Sequence, residues 1–141
     1  MALTRKNVRH YVVQKLLAAN ITAVQSRVNN SPIETFSQKD TPLINVYTVS
    51  EEADEREGFN EYAHLLKQCM LEINIMLQSS VSNAGDILDD VCEVVTTLLD
   101  NDKKLGGLIT LAEYRGTEFV FEPNAEIPFA GASIRYQLRY L

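Results

Sequence analysis

From Thr4 to Ala19 the apolar residues Val8, Tyr11, Val12, Leu16 and Ala19 recur at the spacing of one helix face. Thr4 is placed to cap this run and Asn20 to stop it, which predicts a first helix. The pattern then changes. Two short extended segments are predicted, around Arg27 to Glu34 and Leu43 to Val49. Pro32 and Pro42 push the residues before them towards extended backbone, and Ile44, Val46, Tyr47 and Val49 favour strands. From Tyr62 to Gln78 two periods compete. The alternation in Leu71-Glu72-Ile73-Asn74-Ile75-Met76-Leu77 favours a long strand in the later half, with a helical start near Tyr62 left open.

A second helix is predicted from Asp86 to Leu99, where Ile87, Leu88, Val91, Cys92, Val94, Val95, Leu98 and Leu99 form a broad apolar stripe. Asp86, Asp89, Asp90 and Glu93 suit its positive N-terminal end, and Asn101 with Asp102 closes it. Beyond Gly106-Gly107, strand-like runs at Leu108 to Tyr114 and Thr117 to Phe121 are separated by Arg115-Gly116. In the last strand Ile134, Tyr136, Leu138 and Tyr140 take one face, and Ser133, Arg135, Gln137 and Arg139 the other. The elements add up to one α+β domain over residues 1–141 in the order α-β-β-β-α-β-β. Its expected architecture is a single, mostly antiparallel sheet of about five strands with two main helices packed on it.

Composition narrows the function. The 45% hydrophobic and 23% charged content of these 141 residues is that of a folded chain, and the net charge of -6 opposes tight nucleic-acid binding, which rests on Lys and Arg neutralising phosphates. The N-terminal Met1-Ala2-Leu3-Thr4-Arg5-Lys6 leads into an amphipathic stretch, so neither a signal peptide nor a membrane span is expected. Cys69 and Cys92 both sit in hydrophobic patterns, which makes a reducing, cytosolic setting the default.

No reactive constellation emerges. Cys69, Cys92, His10 and His64 lack the paired spacings of a zinc site; the cysteines fit core positions and the histidines solvated ones. Neither a Gly-x-Ser-x-Gly element nor a phosphate-binding glycine loop occurs. The acidic run Glu51, Glu52, Asp54, Glu55 and Glu57 lacks the alternation and central glycine of a calcium loop. No metal or other cofactor is expected. What stands out is the strand Pro42-Leu43-Ile44-Asn45-Val46-Tyr47-Thr48 feeding that acidic run, together with Arg5, Lys6 and Arg9 at the start of the first helix. Their sign is wrong for the helix dipole and would be relieved by an acidic partner. Such features point to a contact surface.

Four segments carry a family resemblance across nearly the whole chain. They are the helix Asn7 to Ala19, the Pro42 to Thr48 strand with its acidic sequel, the helix Asp86 to Leu99 with Leu105-Gly106-Gly107-Leu108, and the closing strand Ala132 to Tyr140. In these the chain resembles the tail terminator proteins, the minor tail proteins that cap the tail tube of lambda-like long-tailed phages. The resemblance implies a homo-oligomeric ring, expected to be a hexamer, assembled in the bacterial host cytoplasm and resident in the virion tail. Its partners would be copies of itself, the tail tube protein and a head connector or neck protein. DNA would pass through the ring without being gripped, and no catalysis is implied. A head-to-tail ring needs two complementary patches on each subunit. The expected pair is the acidic run Glu51 to Glu57 and the basic trio Arg5, Lys6 and Arg9, with Arg135 and Arg139 as further interface residues. Two alternatives stay open: a neck or head-completion protein of the same joint, and a small-molecule-binding domain or enzyme with a scattered site.

Overall fold

The computed structural model describes residues 4–30, 42–53, 67–78, 83–122 and 129–140. Within them the chain runs α1 (Thr4–Ala18), β1 (Val28–Asn29), β2 (Leu43–Ala53), β3 (Lys67–Gln78), α2 (Ala84–Asp100), a single 3-10 turn (Leu105–Gly107), β4 (Leu111–Glu122) and β5 (Phe129–Tyr140). This is the α+β fold read from the sequence, in the same order of helices and strands. The strands form one sheet in the order β1-β2-β3-β5-β4, in which β1 runs parallel to β2 and every other pairing is antiparallel.

Side-chain alternation puts one face of this sheet in the core. Ile44 pairs with Ile75, Val46 with Ile73, Ile73 with Ile134 and Leu71 with Tyr136, so the apolar residues of three strands fall in common rows. Both helices cover that face. α1 packs on β1 and β2 through Val8, Val12, Val13 and Leu16, while α2 packs on β3, β5 and the flank of β4 through Leu88, Val91, Val95 and Leu99. Full burial of one such side chain contributes about 1.5–3 kcal/mol. That burial, more than its termini, holds α1 in place, since its first turn carries no acid to meet the positive end of the dipole.

A polar latch ties α1 to the turn after α2. The Tyr11 hydroxyl donates to Asp102 Oδ2 at 2.5 Å, Lys15 Nζ lies 3.2 Å from the same oxygen, and the Gly106 N–H donates to Asp102 Oδ1. Gly106 has φ +67°, and a Cβ there would stand 2.8 Å from the Tyr11 ring, so the turn needs glycine on both counts.

Several expected boundaries shift. α1 is already helical at Thr4, and Asn20 ends it in the left-handed region at φ 55°. β1 keeps only Val28–Asn29 of the Arg27 to Glu34 segment, whose residues 31–34 lie outside the described residues, as does the expected helical start near Tyr62. β3 is strand from Lys67 onward. β2 continues through a bulge after Thr48 to Ala53, so Glu51 and Glu52 belong to a strand instead of a loop. Leu108 to Thr110 is turn, because the backbone from Leu105 to Gly107 runs through positive φ. The two segments expected on either side of Arg115-Gly116 are one strand, since Gly116 at φ 137° absorbs a bulge that sequence alone reads as a break.

Candidate functional site

The face of the sheet opposite the helices carries several polar clusters. Glu72 sits at its centre, opposite Tyr47 on β2 and Arg135 on β5. Ser133 Oγ donates to Glu72 Oε1, Arg135 Nε donates to the same oxygen at 3.2 Å, and Arg135 NH1 reaches Glu118 of β4 at 3.0 Å. Asn74 Nδ2 donates to the Tyr47 hydroxyl at 2.6 Å, and Asn29 Nδ2 to Asn45 Oδ1 at 3.2 Å. Towards the other end Gln137 bonds to Gln68, Arg115 Nε donates to Gln137 at 3.0 Å, and Arg139 pairs with Glu113.

The Glu72 cluster sets the protonation of its members. Burial alone would raise the Glu72 carboxyl, but hydrogen bonds from Ser133, Tyr47 and Arg135 outweigh it and hold the group below its ordinary value. Tyr47 is pushed up to about 12 by burial and by its bond to Glu72. The result is a face whose charges are satisfied by neighbours on adjacent strands. Arg135 and Arg139, expected at an interface, both lie on this face and are anchored within the chain.

The acidic and basic candidates meet inside one molecule. Arg5 Nε lies 3.7 Å from Glu51 Oε2, Arg9 NH1 donates to Thr48 Oγ1 at 3.2 Å, and Tyr140 donates to Glu51. The described members of the two expected patches thus lie side by side within one chain. α1 lies over the bulged end of β2, so the first basic turn and the first acids of the run are neighbours. Lys6 and Glu52 are exposed there, while Asp54, Glu55 and Glu57 lie outside the described residues.

Little here is arranged for chemistry. Cys69 and Cys92 are buried and burial raises both thiols, Cys92 to about 11 with a further push from the Asp89 charge. Among the described residues no group of His, Cys, Asp or Glu is assembled to hold a metal ion; His10 is exposed and His64 lies outside them. An open hollow of about 430 Å³ beside α2 is lined by Asp90, Glu93, Val94, Thr97 and Leu98. Another of about 410 Å³ lies between the end of α1 and β1, lined by Leu17, Asn20, Ile21, Thr22, Gln25 and Ser26. The first lining holds the Thr97 hydroxyl with the carboxylates Asp90 and Glu93, and the second holds no titratable side chain.

Sequence reasoning missed the outer edge of β4. Phe119, Val120 and Phe121 are exposed by 48%, 44% and 56%, with Tyr114 also exposed further along the strand. The run Thr117 to Phe121 reads as an ordinary strand, and only the sheet order places it at an edge. Compared with known proteins, the chain matches no family model and no curated sequence.

Proposed function

We propose that this chain is a structural assembly protein of the tail-terminator type. Copies form a ring, a hexamer in the simplest form, that seats on the end of a completed tail tube. The ring stops further polymerisation and offers its outer side to the head connector or neck protein. In this reading the protein is not an enzyme, holds no cofactor and resides in the virion tail.

The observation that carries the reading is the polar face of the sheet opposite the helices. Strands β3, β4 and β5 each run 12 residues, and their outward side chains are cross-linked by the Glu72, Ser133, Arg135 and Glu118 bonds. A face whose charges are already paired suits docking, which needs fixed shape and complementary potential more than a concave pocket. The net charge of -6 suits a channel through which DNA slides, because few counterions are released on contact.

Tube polymerisation tests the proposal. Tail tube protein assembled in the presence of this chain should give tubes of limited length in electron micrographs, and tubes without it should overgrow. Equal length distributions in the two samples would refute the reading. Filter binding of duplex DNA at physiological salt should stay weaker than about 1 µM.

A further inference from the structure

We infer that the outer edge of β4 is the joint between one copy of this chain and the next, receiving the β1–β2 margin of the neighbour as an antiparallel extension of the sheet. This rests on the ring reading above and names the surface that closes the ring.

β4 is an edge strand of 12 residues that pairs only with β5 among the described residues. Phe119 and Phe121 pair with Ala132 and Ala130 and so share the helix-side face, while Val120, opposite Gly131, takes the other face. An apolar group on both sides of an unpaired edge, with neither lysine nor proline in Leu111–Glu122, is the arrangement that recruits another strand. The flanking Glu118 and Glu122 discourage unspecific pairing and leave a directed one.

Topology supplies the matching surface. At the opposite margin β1 pairs with Ile44 and Asn45 of β2, and no other described strand lies beside the outer edge from Val46 to Ala53. β2 runs antiparallel to β3, β3 to β5, and β5 to β4, so β2 and β4 point in opposite directions. Copies held in one orientation, as a ring requires, therefore join these margins antiparallel, the more stable ladder.

Charge selects this head-to-tail joint over a two-fold one. α1, above the β2 margin, carries Arg5, Lys6, Arg9 and Lys15 and no acid. α2, towards the β4 margin, carries Asp86, Asp89, Asp90, Glu93 and Asp100 and no base. Side by side, copies set the acidic helix of one next to the basic helix of the other. Two β4 strands meeting each other would bring acidic margin to acidic margin, with Glu118 facing Glu122 when the pairing centres on Val120.

The test uses the full chain in three measurements. Sedimentation across a concentration series should show the wild type assembling, and Phe119→Glu with Phe121→Glu should raise the midpoint concentration at least about a hundredfold. Circular dichroism should stay unchanged, because both rings are exposed in the monomer. Assembly of the double variant at the wild-type midpoint would overturn the β4 joint and leave the ring reading standing. A wild type that stays monomeric at every concentration and on tube ends would remove the ring reading, and the joint with it. Val120→Cys should give no disulfide dimer on oxidation, since Cys69 and Cys92 are buried; a dimer would overturn the inference in favour of a two-fold contact. In mixed isotopically heavy and light chains, zero-length carbodiimide coupling should join Lys6 or Lys15 of one copy to α2 or β4 carboxylates of another. An assembled sample without such links would also overturn it.

Discussion

Gly106 and Glu72 show how single positions hold this fold. Replacing Gly106 with alanine places a methyl group 2.8 Å from the Tyr11 ring at a φ of +67°, so Gly106→Ala should lower stability by about 1–3 kcal/mol in urea unfolding. Acid sensitivity follows from two carboxyls. Glu72 is held below its ordinary value because bonds from Ser133, Tyr47 and Arg135 outweigh burial, and Asp102 is held down by Tyr11 first and then by the Gly106 N–H. In both cases the unfolded chain binds protons more readily than the folded one. Their contribution is therefore complete above the unfolded values, near pH 4, and is lost as the pH falls through the lower folded values. Glu72→Gln should flatten the acid limb of a stability–pH curve measured by thermal unfolding, and an unaltered limb would show that the network around Arg135 does not hold the proton off. The thiols give a further check. Cys69 and Cys92 should react with a thiol reagent only after the chain unfolds, because both are buried.

At the level of elements, α2 and β5 were the most legible, since each writes one unbroken period into the sequence. α2 buries Leu88, Val91, Val95 and Leu99 on one stripe, and truncation of the fully buried Leu88 to alanine should cost about 2–5 kcal/mol in denaturant unfolding. The ends of β2 and β4 were not legible, for physical reasons. Glu51 and Glu52 read as a loop because their charges hide the strand, which a bulge after Thr48 carries to the margin of the sheet. Gly116 reads as a turn until its partner strand shows a bulge. The Arg5–Glu51 pair was equally hidden, because the contact depends on α1 lying over β2 and not on any local spacing. With side chains 49% and 31% exposed, that pair should matter little to the monomer. Arg5→Ala should change unfolding stability by less than about 1 kcal/mol.

Across the described residues, the sheet separates a helix layer polarised from basic α1 to acidic α2 from a face of paired charges. Such a layout gives each copy two unlike margins, the geometry a closed head-to-tail ring uses. The proposed tail-terminator role would set this arrangement at the end of a tail tube, and the inferred β4 joint would close the ring. The most direct measurement is electron microscopy of tail tubes capped in the presence of the full chain, with subunits counted by averaging end views. The account predicts one closed ring of this protein at a single end of each tube, six copies in its simplest form. Bare tube ends, or copies bound along the tube wall without closure, would contradict it.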